Sequence, residues 1–475
     1  MNYLYQQYKL CKISQDELVN SLKSNQFETL IENSKQRQYK QVSKTHNRIN
    51  CIDIDSFDNG KFYLTGHNDG SIALWSMDGM LDSHHLINRK LNVSKRLSQN
   101  TKVNDTNTSS PSQNRLVYST QTRTNKFRMY RGSTTEEPLM KKIKKNNDYD
   151  SAHEYGITTL KWYGPDNGMF FTGGNDSMIK IWDTNGFCTV QELDFNYKIN
   201  QIDCVGDTSY IVVACEDYYP RLVDLKTLNM GVTVFGKRTS GGDIFSDKKY
   251  ETLSCKINPR DNNIIASSDI MGHVKLWDIR KGNQLLHELV KSDTKQRAHS
   301  QSCNDIIWNS KGSKLVSIGL DGKIVEWDQP FDNNIYENKF NDKENMNYYL
   351  VNDESNLVTL QNNYRIIGDI DITRNRYKKR VSKRLEWIND KYLVVVTDYG
   401  QLQIFDTEQG KYWNKLELPI EYNLGKTNSG QFTGIAVQQD MANSRGFRLL
   451  AGTSTMKMLN NVQVMSDCPL LEYTL

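Results

Sequence analysis

The chain has 475 residues, eight cysteines and a formal net charge of +4, and 37% of it is hydrophobic. No stretch approaches the apolar length of a membrane helix, the N-terminus MNYLYQQYKLCK lacks the charged-then-apolar order of a signal peptide, and the cysteines show neither a CxxC pair nor zinc-site spacing. A soluble, intracellular protein with buried reduced thiols, no metal and no cofactor is expected. The charge is uneven: residues 83–148 hold fourteen Lys/Arg against four Asp/Glu, a surplus of ten that leaves the remainder acidic by six. A nucleic-acid-binding domain carries its basic surplus on the folded surface, so sequence-specific nucleic-acid binding is not expected.

In chain order, residues 14–40 come first and read as two short helices. Ser14 with Glu17 makes a capping box, and Asn25 with Glu28 makes a second start. Leu18, Val19 and Leu22 share one side of the first helix, as Phe27, Leu30 and Ile31 share one side of the second. Helices this short are marginal alone, so these faces must pack on the rest of this chain or in a partner's groove.

The strongest signal follows: four residue types recur at nearly fixed spacing within segments that alternate apolar and polar residues, as half-buried strands do. His46, Thr65, Asp69 and Trp75 are separated by 19, 4 and 6 residues; His153, Thr172, Asp176 and Trp182 keep those intervals; His299, Ser317, Asp321 and Trp327 differ by one residue in the first. Such a set satisfies its own polar groups. The carboxylate accepts from the imidazole, the imidazole engages the hydroxyl and the indole donates to it, so all four can leave water. Ser, His and Asp also make up a hydrolase triad, but three copies, a Thr in two of them and a Trp plugging the hydroxyl favour a strut over a nucleophile. The column resembles the tetrad of WD repeats, which implies four-stranded antiparallel blades with the Asp in the turn between second and third strands.

Weaker copies complete a circle. Residues 199–226 have neither His nor Trp; 251–282 have Trp277 and Asp278, with Met271 at the turn position; 383–410 put Tyr399 and Phe405 at the Asp and Trp positions; 431–464 have neither anchor. The units run roughly 46–78, 153–190, 197–235, 250–290, 299–329, 380–418 and 431–465. They predict an all-β, seven-bladed propeller over 39–475, with 1–38 as a helical segment ahead of it. Closure removes unpaired edges, and YKQVSKT (39–45) is expected to form the outer strand of the last blade. Residues 80–150, rich in Asn, Ser, Thr and Lys, are expected to be mostly disordered and to leave the ring between the third strand of blade one and the start of blade two. Residues 330–379 read as an elaborated loop, with an eighth blade as the alternative. Within the first insertion, Lys141, Lys142, Lys144 and Lys145 read as a nuclear localisation run or as an ordinary solvated lysine cluster. Arg48, Tyr155 and Lys198, which open first strands, are expected on the narrow rim facing a substrate. No P-loop, GxGxxG, HExxH or carboxylate cluster is found, so no enzyme is expected.

The wording of the repeats goes further. INCIDIDSFDNGKFYLTGHNDGSIALW, HEYGITTLKWYGPDNGMFFTGGNDSMIKIWDTN, VKLWDIRKG and AHSQSCNDIIWNSKGSKLVSIGLDGKIVEWD resemble the Cockayne syndrome group A family, in a fungal form, over most of the chain. Trp162 to Phe170 is the most specific piece, since propeller physics does not demand it. The resemblance implies a non-catalytic substrate receptor of a cullin-RING ubiquitin ligase, nuclear and active in transcription-coupled nucleotide excision repair. It implies a triple-propeller adaptor as partner, with a transcription-repair coupling ATPase and stalled RNA polymerase II as substrates or neighbours. It also implies that Leu18, Leu22, Phe27, Leu30 and Ile31 dock into the adaptor rather than onto their own ring, and that Trp277, Asp278 and Arg280 match a W-D-x-R adaptor contact, where a guanidinium fork suits two acceptors. The plain account of Arg280 is an exposed charge after a structural WD pair. Long insertions and the lack of an acidic tail depart from the family pattern and leave substrate choice open. The alternative is a scaffold for another nuclear assembly, in RNA processing or chromatin.

Overall fold

A four-stranded sheet with apolar residues on both faces cannot stand alone; this chain forms seven sheets and arranges each between two others. The computed structural model describes residues 9–10, 39–45, 48–56, 60–77, 115–119, 153–165, 167–206, 208–217, 219–226, 232–235, 250–281, 285–291, 296–328, 363–370, 384–397, 400–418, 430–439, 447–459, 462–465 and 468–474. From axis to rim, blade one is Ile49–Ile54, Phe62–His67, Ile72–Ser76 and Arg115–Ser119. Blade two is Ile157–Trp162, Met169–Gly174, Met178–Asp183 and Cys188–Asp194; blade three is Ile199–Asp203, Tyr210–Cys215, Arg221–Asp224 and Val232–Val234. Blade four is Thr252–Ile257, Ile264–Asp269, Val274–Asp278 and Leu285–Glu288; blade five is Cys303–Trp308, Lys314–Gly319, Lys323–Asp328 and Asn363–Asp369. Blade six is Leu385–Trp387, Tyr392–Val396, Gln401–Asp406 and Lys411–Glu417. Blade seven takes Gly430–Gln439, Phe447–Leu459 and Cys468–Thr474 from the end of the chain and Tyr39–Thr45 from its beginning, Tyr39 opposite Tyr473 and Thr45 opposite Cys468. First strands of successive blades touch all the way round, which closes the ring.

The core is divided accordingly. One buried apolar cluster fills each contact between neighbouring blades: Leu64, Ile72 and Trp162 between blades one and two, for example, and Tyr392, Phe432 and Tyr473 between six and seven. Blade three has no tetrad, and its second strand explains why it needs none. Tyr210–Cys215 (YIVVAC) sends Ile211, Val213 and Cys215 into the cluster with blade two and Val212 and Ala214 into the cluster with blade four.

Four expectations change. Residues 115–119 lie inside the stretch read as mostly disordered, yet RLVYS pairs with Ile72–Ser76 as the fourth strand of blade one, because the third strand would otherwise end the sheet as an open edge. Blade five, read as ending at 329, likewise takes Asn363–Asp369 as its fourth strand from within the segment read as an elaborated loop, and the ring has seven blades. The seventh unit runs past 465: Val462–Met465 folds back on Met456–Leu459 as a hairpin with only Asn460 and Asn461 between, and Cys468–Thr474 is the third strand. All described cysteines are free thiols, and Cys188 departs from the expected burial by being exposed.

Near the axis, blades one, three and five each aim an aspartate at the blade that follows. Asp53 accepts from the backbone N–H of Trp162 at 2.9 Å, Asp203 from Ile257 at 3.0 Å, and Asp305 from Arg384 and Leu385 at 2.7 and 3.1 Å. Lys161 and Lys256 lie 3.5 and 3.3 Å from Asp53 and Asp203, and Asp53 raises the Lys161 ammonium well above its ordinary pKa. Asp305 also meets Gln201 Nε2 of blade three and Ser254 Oγ of blade four, each at 3.2 Å, so its carboxylate joins blades three, four, five and six. Replacing it leaves several buried donors unmatched. Asp305→Ala is expected to cost at least about 3 kcal/mol in urea unfolding; a loss below about 1 kcal/mol would show that this four-blade junction is not what holds this part of the ring.

Candidate interaction faces and the struts behind them

In an antiparallel blade the second-to-third-strand turn lies on the same side as the entry to the first strand. Backbone hydrogen bonds join the two: Asn68 N–H to Arg48 O at 2.9 Å, Asn175 to Gly156 at 3.0 Å, Glu216 to Lys198 at 2.8 Å, Ile270 to Glu251 at 3.0 Å and Leu320 to Ser302 at 2.8 Å. This side is the entry face. Connections from third to fourth strands lie on the opposite face.

The tetrads lock the turns. In blade two His153 Nδ1 meets both Asp176 oxygens at 2.9 Å, His153 Nε2 meets Thr172 Oγ1 at 2.7 Å, and Trp182 Nε1 donates to that hydroxyl at 2.8 Å. Blade five repeats this with His299 to Asp321 at 3.0 Å, His299 to Ser317 at 2.9 Å and Trp327 to Ser317 at 3.0 Å. The carboxylates also accept from the backbone of Glu154 and Ser300 at 3.0 Å, which positions the entry to the first strand. An imidazole reaches the hydroxyl only because the residue two beyond it is glycine: a Cβ on Gly174 or Gly319 would stand 2.7 or 2.5 Å from the histidine Nδ1.

Blade one places a second histidine in its set. His46 lies outside the described residues, and His67 stands where the other two blades have glycine; its Nε2 meets Thr65 Oγ1 at 3.1 Å while Trp75 Nε1 donates to the same oxygen at 3.0 Å. Asp69 accepts from Ser71 N and Oγ at 3.0 and 2.6 Å. Blade four has a version that the spacing missed. Trp277 Nε1 donates to Ser267 Oγ at 2.7 Å, and the carboxylate comes from Asp269, two residues before Met271, which takes His273 Nδ1 at 2.9 Å and Lys275 Nζ at 3.1 Å. In blade six Tyr399 lies outside the described residues, and Phe405, 1% exposed, fills the indole position.

Among the rim residues, Arg48 is a correction. It is 3% exposed, and burial lowers its pKa to about 10. Its place just before the first strand of blade one puts it under the turn that bonds to its carbonyl. Tyr155 is 58% exposed on the entry face and Lys198 is half-buried there. On the opposite face, Arg280 forks onto Asp278, Nε and Nη2 each at 2.9 Å, with its side chain 57% exposed. Leu18, Leu22, Phe27, Leu30, Ile31 and the lysines 141, 142, 144 and 145 lie outside the described residues. No group of three or more His, Cys, Asp or Glu among the described residues could hold a metal ion.

Burial pulls the His299 imidazole below its ordinary pKa of 6.5. For Asp321 burial acts upward, but the hydrogen bond and charge of His299 outweigh it and hold the carboxyl below 3.8; His153 does the same for Asp176. The unfolded chain takes up these protons at higher pH than the folded one, so this stability is present above pH 6.5 and lost as pH falls, first through His299 and then through the aspartates. The melting temperature should drop steadily from about pH 7 to about pH 4, and less steeply in His299→Gln. A melting curve indifferent to pH over that range would contradict this.

The WD domain, G-beta repeat family matches residues 37–76 and 146–183. Radiation-sensitive protein 28 of Saccharomyces cerevisiae is 38% identical, over 94% of this chain and 96% of its own length. The WD repeat-containing protein ATCSA-1 of Arabidopsis thaliana is 25% identical over 29% of this chain and 28% of its own. Among solved structures, the Cps50 (Swd1) β-propeller domain of Myceliophteria thermophila covers 92% of this chain at a TM-score of 0.54 and 12% identity, and all of that domain is covered in return, a likeness of fold alone. Repeats and relative alike make the chain a non-catalytic interaction propeller. With seven blades closed by strands from both ends, and with that identity sustained along nearly the whole chain, the protein belongs to the WD-repeat family of Radiation-sensitive protein 28.

Proposed function

We propose that this protein is a nuclear substrate receptor of a cullin-RING ubiquitin ligase in transcription-coupled nucleotide excision repair, holding a triple-propeller adaptor on one face of its disc and substrate on the other. The observation that carries this reading is the separation of its two sets of contact residues. Tyr39 starts the outer strand of blade seven on the opposite face, where Arg280 also stands exposed, while Tyr155 and Lys198 occupy the entry face. The helical segment with Leu18, Leu22, Phe27, Leu30 and Ile31 would dock in the adaptor, and Arg280, already oriented by Asp278, would add a charged contact beside it. The transcription-repair coupling ATPase and stalled RNA polymerase II would then meet the entry face. Lys141, Lys142, Lys144 and Lys145, in the connection from blade one to blade two, would act as the nuclear localisation run.

A second reading keeps the protein in the nucleus without a ligase. Histone-binding protein MSI1 of Saccharomyces cerevisiae is 23% identical over 40% of this chain and 44% of its own, which favours a chromatin scaffold as that alternative. Co-purification separates the two. Leu18→Asp with Leu22→Asp should abolish recovery of a triple-propeller adaptor while leaving the circular dichroism of the propeller intact. Undiminished recovery with the double variant, or protease protection of residues 14–40 in the isolated protein, would turn the reading toward the scaffold.

A further inference from the structure

Blades two, three and four each carry a tyrosine two residues before their first strand: Tyr155, Tyr197 and Tyr250 precede strands that begin at Ile157, Ile199 and Thr252. Blade five has Gln301 at that position. The position lies on the entry face, so the three rings form an arc across three consecutive blades. Tyr155 is 58% and Tyr197 44% exposed; Tyr250 stacks on His273 at 5.6 Å, and Ile270, 44% exposed, extends the apolar surface from the turn of blade four.

Tyrosine faces in such an arc can take the bases of a single strand or the cations of a peptide. The neighbouring charges discriminate. Glu154 and Glu216 are exposed on this arc, and the half-buried Glu251 holds Asn200 Nδ2 at 2.8 Å. Against them stands Lys198, while Arg221 is matched by Asp217, and His273 and Lys275 by Asp269. Carboxylates beside the rings repel phosphate and attract ammonium or guanidinium. The arc already holds one such cation from its own chain: the Arg221 guanidinium lies over Phe195 and Tyr197 at 5.3 and 5.4 Å, with Asp217 as counter-ion.

We propose that this arc binds an extended, lysine- or arginine-bearing segment of a partner protein, its cations seated over Tyr155 and Tyr197 and against Glu154 and Glu216. The inference deepens the receptor reading, naming the chemistry of what the entry face receives, and rests on that reading only for which protein brings the segment.

The test uses the full chain, purified without adaptor, and fluorescence anisotropy of three labelled probes: a synthetic peptide alternating arginine with glycine, its glutamate counterpart, and oligothymidine. The arginine peptide should bind and the other two should not. Tyr155→Ala, and separately Glu154→Lys with Glu216→Lys, should each weaken it about tenfold, the size of one lost cation–π contact with its charge. Because these side chains are exposed, circular dichroism should not change. Glu408→Lys, at a site 66% exposed on the opposite face of blade six, should leave binding as it was. Equal loss with Glu408→Lys would mean diffuse charge attraction; tighter oligothymidine than peptide, or no peptide binding, would also overturn the proposal. None of these readings depends on Leu18 or Leu22, so a failed adaptor interaction and a failed cation site give different results.

Discussion

No blade of this disc can bury both its faces until the seventh has met the first. Each apolar cluster is shared by two sheets, so stability belongs to contacts between blades more than to any blade. Blade seven is where this constraint is settled, and the chain settles it with an antiparallel ladder between its two ends. Thr433 adds a side-chain tie across the same seam, its hydroxyl donating to the carbonyl of Ile49 in blade one.

Polar groups inside the disc are handled by several solutions to one problem. An indole N–H must find an acceptor when its ring is buried, and in blades one, two, four and five that acceptor is a serine or threonine hydroxyl ten residues earlier. Behind the hydroxyl stand His153 and His299 with their aspartates in two blades and His67 in another, while in blade four the Asp269–His273 pair closes on its own turn. The shared requirement is the acceptor for the indole, which more than one surrounding residue set can accompany.

That plurality explains what could be read in the sequence. The tryptophans of blades one, two and five and their hydroxyl partners stood out because local spacing determines them, and the strand at 39–45 because closure of the ring demands it; Ser267, the partner of Trp277, did not. Arg115–Ser119 was hidden by the polar stretch around it, since its strand pairing depends on an edge supplied by Ile72–Ser76 some forty residues away. Asp53, Asp203 and Asp305 looked like ordinary polar positions in alternating strands; their partners Trp162, Ile257 and Arg384 lie one blade on, at separations no periodicity reveals. Arg48 was misplaced because a position's side of the disc says nothing of its depth under a turn. The tyrosine arc was half seen through Tyr155, and only strand register shows that Tyr197 and Tyr250 repeat it.

The ladder between Tyr39–Thr45 and Cys468–Thr474 also has a temporal meaning. A ribosome delivers the first of these strands before six blades and the second after them, so the nascent chain must carry an unmatched strand while those blades are made. The ring therefore closes only once the later strand is available, and the open intermediate, with apolar sheet faces at both ends of its arc, is the species a chaperone would have to shield.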